Sequence, residues 1–103
     1  MTLFGLHPEL RPAAEALLQL AQESGVRVYI NSVRRSRAQQ AKLYARYLRG
    51  QNPYPVAPPG TSLHELGLAF DISTYPDVLP QLGAIWRSWG GRWSPADRVH
   101  FSV

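Results

Sequence analysis

The chain contains no cysteine. That excludes disulfide cross-links, thiolate metal sites and a cysteine nucleophile. No apolar run is long enough to span a bilayer, so membrane insertion is not expected. The first ten residues, MTLFGLHPEL, lack the basic start and extended apolar segment of a signal peptide. Internal repeats and low-complexity tracts are missing as well. Acid is in short supply. Eleven Lys and Arg face seven Asp and Glu, for a net charge of +4 and a pI near 10.0. Much of the basic charge sits in NSVRRSRAQQAKLYARYLRG, residues 31–50. It reads either as a solvated helix face or as a surface attracted to a polyanion, nucleic acid or an anionic cell wall.

What is present fits one globular domain. The chain has 103 residues, 45% of them hydrophobic, enough for a modest core and too few for two domains. Residues 8–24 carry Leu10, Ala13, Ala14, Leu17, Leu18 and Ala21 at helical spacing, with Pro8 and Pro12 at the entry and Gly25 at the exit. VRVYIN alternates, with Val26, Val28 and Ile30 on one face of a half-buried strand. Ser36 followed by Gln39 forms the pattern of a capping box, opening a helix to about Leu48. A Pro- and Gly-rich loop, QNPYPVAPPGTS, follows. LGLAFDIS reads as a second strand. PDVLPQLGAIWRSWGG holds a third helix with Leu79, Leu82, Trp86 and Trp89 on one side, and RVHFSV reads as a last strand. Helices mixed with a few strands predict an α+β fold with a small antiparallel sheet packed against helices.

Chemistry can be sought in few places. The only histidines are His7, His64 and His100. His7 precedes a proline at a helix entry and reads as structural. His64 lies seven residues before Asp71, and His100 three residues after Asp97. If the second and last strands are neighbours, two imidazoles and a carboxylate converge. That is the donor set of a catalytic zinc site, with a fourth position left for water. A nearby carboxylate must then take the water's proton and hand it to the leaving amine. Asp97 travels with His100 and suits that role. Each residue taken alone also has a structural reading: a lone strand histidine is often a satisfied core residue, and Asp71 can pair with one of many arginines.

Three segments together resemble a known family. SLHELGLAFD, residues 62–71, is similar to the S-x-H-x-x-G-x-A-x-D motif of the M15 zinc peptidases, which cut peptidoglycan peptides. SVRRSRAQQ resembles that family's S-G-Y-R-S-x-x-x-Q segment, and WGGRWSPADRVHF its closing W-G-G-x-W…D-x-x-H-F segment. The resemblance implies a fold like that of the hedgehog and DD-peptidase domains over residues 1–103. It implies Zn²⁺ held by His64, Asp71 and His100, with Asp97 as general base and acid. Arg35 would hold a substrate carboxylate or carbonyl oxygen and stabilise the oxyanion. Ser62 would hydrogen-bond near the site, Gln40 would brace the loop carrying Arg35, and Trp93 could line the substrate groove. Gly67 would give backbone room between His64 and the strand.

The spacing D-x-x-H looks more like the L-alanyl-D-glutamate endopeptidases than the D-alanyl-D-alanine carboxypeptidases, which tend to show E-x-x-H. The expected activity is therefore a zinc-dependent L-Ala-D-Glu endopeptidase of endolysin or wall-remodelling type. The alternatives are a D-Ala-D-Ala carboxypeptidase of the same family or a non-catalytic, metal-containing wall-binding module. The expected partner is a peptidoglycan peptide met by a monomer, with no specific nucleic acid. The expected place of action is the wall, reached after phage-encoded synthesis and release or by another export route. Val33 and Arg34 stand where the family has Gly and Tyr, and Ser102 where it has an acid. Valine cannot adopt positive φ without strain, so the loop carrying Arg35 is expected to differ.

Overall fold

The computed structural model describes residues 3–103. Helix α1 (Arg11–Glu23) is followed by strand β1 (Arg27–Ser32), helix α2 (Arg37–Leu48), a single 3₁₀ turn over Leu63–Leu66 and strand β2 (Ala69–Tyr75). Helix α3 (Leu79–Ser88), a second 3₁₀ turn over Pro95–Asp97 and strand β3 (His100–Ser102) complete the chain. The three strands form one antiparallel sheet in the order β1-β2-β3. This is the α+β architecture expected from the sequence. No helix among the described residues is long and apolar enough to cross a membrane.

The core lies on one face of the sheet. Helix α1 turns Ala14, Leu17, Leu18 and Ala21 inward, and α3 turns Leu79, Leu82 and Trp86 inward. They meet Val28, Phe70, Ile72 and Phe101 from the strands. Phe70 sits between two rings: stacked on Phe101 at 5.4 Å and edge-on to Trp86 at 5.3 Å, arrangements that suit the ring quadrupoles. The Trp86 indole N–H donates to the Ser102 carbonyl at 2.8 Å, so its one polar atom is satisfied. Trp89 departs from the expected core set. It caps α3 and is 46% exposed, because the helix ends there and the chain turns away at Gly90 (φ +95°).

The opposite face of the sheet carries the polar residues. Strand alternation places Asp71 on the side away from Phe70 and Ile72. The pairing of β1 with β2 shifts between Ile30 and Ser32, so that Ser32 stands opposite Asp71. Asp71 in turn stands opposite His100 on β3. This bulge brings one residue from each strand into a single row, and bulges of this kind commonly re-aim side chains beside functional sites.

Candidate metal centre and active-site cleft

Strand β2 begins at Ala69, three residues later than the strand expected over LGLAFDIS, and His64 occupies the 3₁₀ turn before it. Ser62 caps that turn: its hydroxyl accepts from the His64 backbone N–H at 3.2 Å. The Glu65 carboxylate reaches back to the N–H groups of Ser62 and Gly60, at 3.2 and 2.9 Å. The turn ends at Gly67, which has φ +71°. A Cβ there would lie 2.5 Å from the Gly5 carbonyl, so both conformation and space require glycine. The short turn thus delivers His64, 2% exposed, to the polar face of the sheet.

The two ring nitrogens of His64 have different tasks. Nδ1 lies 2.6 Å from the Val33 carbonyl, an acceptor, and must therefore carry the proton. In a neutral ring this turns the bare Nε2 toward Asp71 Oδ1 at 3.1 Å and His100 Nδ1 at 3.3 Å. His100 Nδ1 is itself 3.0 Å from Asp71 Oδ1. Three electron-pair donors thus crowd one point, all within 4.8 Å of one another. A lone pair facing a carboxylate oxygen at such a distance is repulsive unless a proton or a cation lies between them. A ring held by a backbone carbonyl on its far nitrogen is the usual support of a metal-ligating histidine. The arrangement therefore fits a divalent ion with N, N and O donors.

Burial opposes the charge on Asp71. Where the His100 and His64 rings carry protons toward it, their hydrogen bonds and positive charge outweigh burial and hold the carboxyl below the usual carboxylate range. Its second oxygen, Oδ2, accepts from Arg35 Nη2 at 2.9 Å. Arg35 also donates through Nε to the Ser32 hydroxyl at 2.9 Å and through Nη1 to Gln40 Oε1 at 3.1 Å. The Gln40 amide, 1% exposed, donates in turn to the Ala57 carbonyl at 2.9 Å. Arg35 is thus fixed at all three nitrogens. A guanidinium has five N–H donors, so two remain for a ligand.

Asp97 lies in the same cleft. Ser94 starts its turn, accepting from the Ala96 N–H at 3.2 Å, and the Asp97 N–H donates to the Ser94 carbonyl at 3.1 Å. Partial burial raises the Asp97 carboxyl above its ordinary value. The charge of His100 pulls it down and that of Asp71 pushes it up. A carboxylate tuned upward beside a metal-type donor cluster is suited to passing a proton.

These groups line one cleft of about 480 Å³. His64, Asp71, His100, Asp97, Arg35, Ser62 and Gln40 all border it. Trp93 does not. It is packed against Gly83 and Phe101, and its indole N–H donates to the Arg98 carbonyl at 2.8 Å. The sequence offered a tryptophan after a Gly-Gly turn as a groove wall, but its bulk completes the core instead. The far wall comes from the loop after α2, with Asn52, Tyr54 and Ala57. The sequence marked that stretch only as a Pro- and Gly-rich loop. Sequence reasoning also missed Ser32 and the Val33 carbonyl as supports. The Ser32 role follows from a bulge that no local pattern announces, and a backbone carbonyl has no residue signature. Among the described residues no non-glycine has positive φ, so Val33 occupies the place of the family's Gly in an ordinary conformation.

Comparison with known proteins places the fold. The family profile described as VanY, D-alanyl-D-alanine carboxypeptidase, matches residues 4–89. Among solved structures, a variant of the vancomycin-resistance D,D-pentapeptidase VanY from a VanB-type cassette, in complex with Zn(II), superposes with a TM-score of 0.73 at 23% identity. The match covers 94% of this chain and 71% of that one. The LdcB LD-carboxypeptidase gives a TM-score of 0.74 at 26% identity over 95% of this chain and 65% of that one. VanYB in complex with D-alanine-D-alanine gives 0.72 at 23%, over 94% and 70%. A search of curated protein sequences returned no match. The family profile covers most of the length, and the fold agrees with it: the chain belongs to the VanY family of D-alanyl-D-alanine carboxypeptidases.

Proposed function

We propose that this protein is a zinc carboxypeptidase that removes the C-terminal residue from peptidoglycan stem peptides ending in D-alanyl-D-alanine. The observation that carries the reading is the convergence of His64 Nε2, Asp71 Oδ1 and His100 Nδ1 in a cleft that also holds Asp97 and Arg35. Those three atoms would hold the zinc, which the related VanY structure also contains. Zinc in such a site supplies Lewis acidity and brings the pKa of a water near neutrality. The chain's own residues do the rest. An Asp97 carboxylate oxygen takes the proton lost by the attacking water and returns it to the nitrogen of the departing D-alanine. The two free Arg35 donors face the substrate's terminal carboxylate or the developing oxyanion. Among the described residues Arg35 is the only Lys or Arg bordering the cleft, which suits a substrate that ends in one carboxylate.

The family match supports this bond over the L-Ala-D-Glu bond expected from D-x-x-H. Aspartate in place of glutamate at position 97 shortens the reach by one methylene and leaves the proton chemistry unchanged. The wall peptide is the partner, the wall is the place of action, and the working unit is a monomer. Mass analysis of muropeptides after digestion tests the reading. Loss of one C-terminal alanine, abolished by a chelator and by Asp97→Ala, is expected. Cleavage between the first and second stem residues would restore the endopeptidase. Unchanged peptides in every sample would leave a binding module.

A further inference from the structure

Residues 24–64 contain no Asp or Glu but hold Arg27, Arg34, Arg35, Arg37, Lys42, Arg46 and Arg49. Arg35 belongs to the cleft. The other six are exposed, and among the described residues none of them forms an ion pair. Helix α2 carries much of this charge. It buries only Gln40. Lys42, Arg46 and Arg49, spaced i, i+4 and i+7, form a stripe on the side away from Gln40. Like charges at i, i+4 weaken a helix. Arg37, in the first turn, opposes the helix dipole, and no acid accompanies it there. Arg46 and Arg49 suit the dipole at the C-terminal end of the helix, but folding gives no reason for Arg37 or for the Lys42–Arg46 pair.

The stripe borders a groove. Arg34, Lys42 and Arg46, with Asn31 and Gln39, line a cavity of about 420 Å³ between α2 and the segment after β1. Arg35 and Leu43 belong both to this groove and to the active-site cleft. Glu65 borders a neighbouring depression with Arg34 and Arg37, but no Asp or Glu is among the described residues lining this groove. Apart from Arg35, which pairs with Asp71, its cations Arg34, Lys42 and Arg46 have no ion pair among the described residues, so the groove is a cationic surface beside the catalytic centre.

We infer that this groove is an accessory binding site for a polyanionic phosphodiester polymer attached to the cell wall, which holds the enzyme against its substrate. The choice of a wall polymer rests on the proposed activity at peptidoglycan. The cationic character of the groove does not. Several exposed, unpaired cations along one helix match repeating phosphates better than a single carboxylate. The link through Arg35 lets one wall fragment occupy groove and cleft together.

The test uses the zinc-loaded full chain and reads wall binding separately from cleavage. Purified walls are compared before and after chemical removal of their phosphopolymer. Intact walls should bind the native protein and release it as salt rises. Stripped walls, and Lys42→Gln/Arg46→Gln protein on intact walls, should each bind about tenfold more weakly. The rate on a short soluble stem peptide should be the same for native and doubly substituted protein. Equal binding of native protein to intact and stripped walls, or of the double variant and native protein to intact walls, would overturn the inference. So would equally tight binding to a DNA duplex, which would show a surface that does not select the wall polymer. If the soluble peptide is never cleaved but wall binding still depends on Lys42, Arg46 and the phosphopolymer, the proposed activity fails and the groove stands.

Discussion

Strand β2 places two different kinds of stability back to back. Phe70 and Ile72, both 0% exposed, face α1 and α3 in an apolar layer. Asp71, between them, faces a set of polar partners: Arg35 and His64 from the connecting segments and His100 from β3. The apolar face is stable on its own terms, since burial and packing need no ligand. The polar face sets the His64 Nε2 lone pair against a carboxylate oxygen, a contact that a proton or a cation between them relieves. One strand thus joins a ligand-independent half to a ligand-dependent half, and variants on either side should separate them.

The largest effect is expected on the apolar side. Phe70→Ala removes a ring packed against Trp86 and Phe101 and should cost about 3–5 kcal/mol of stability. Denaturation in urea checks this with and without zinc, and the loss should be the same in both. A loss confined to the zinc-loaded protein would mean the two faces are not separable. The matching variant on the polar side is Asp97→Asn. It should lower kcat by roughly 10²–10⁴-fold with zinc content unchanged and melting temperature not lowered. Arg35→Ala should likewise keep zinc and lose turnover, though it also frees Asp71 Oδ2.

Metal removal comes next in size. An ion bound only by the folded chain adds its binding free energy to stability, about 3–4 kcal/mol when free zinc is 100–1,000 times its dissociation constant. A chelator should lower the melting temperature of the native protein and leave that of His64→Ala unmoved. Full zinc occupancy in His64→Ala, measured by elemental analysis, would remove His64 from the ligand set.

The apolar half was also the more legible half. The helical spacing from Leu10 to Ala21 and the alternation of Val28 and Ile30 placed the core, because periodicity reports directly which side of an element is buried. The Ser36–Gln39 pattern marked the start of α2, and a capping box is present there. In the polar half, the residues His64, Asp71, His100 and Asp97 were legible as types, and the structure brings them to one cleft. The supports were not. Ser32 reaches the site through a register shift that depends on the whole β1–β2 pairing. Val33 acts through its carbonyl, which every residue has. Trp93 was misplaced because a large aromatic beside a glycine turn can serve either a groove or a core, and only the small residue it meets, Gly83, decides.

The smallest effect tests whether surface charge tunes the ligand-independent half. The Asp77 carboxylate, at the entry to α3, accepts from Arg98 Nη2 at 2.6 Å and from the Leu79 N–H at 3.1 Å. The Arg98 hydrogen bond, followed by that of Leu79, draws its pKa below the ordinary value of 3.8. A carboxyl depressed on folding stabilises the folded state above its unfolded pKa, and that contribution fades as pH falls through the folded one. The raised pKa of Asp97 has the opposite sign, since its protonated form is the one folding favours. Asp77→Asn should therefore lower the melting temperature of metal-free protein slightly at neutral pH, and the gap should close below about pH 4. The pair is exposed, so the effect is small. Working with metal-free protein keeps acid-driven loss of a bound ion from masking it, and a gap that persists unchanged into acid would show that Asp77 acts through the geometry of the α3 entry instead of its charge.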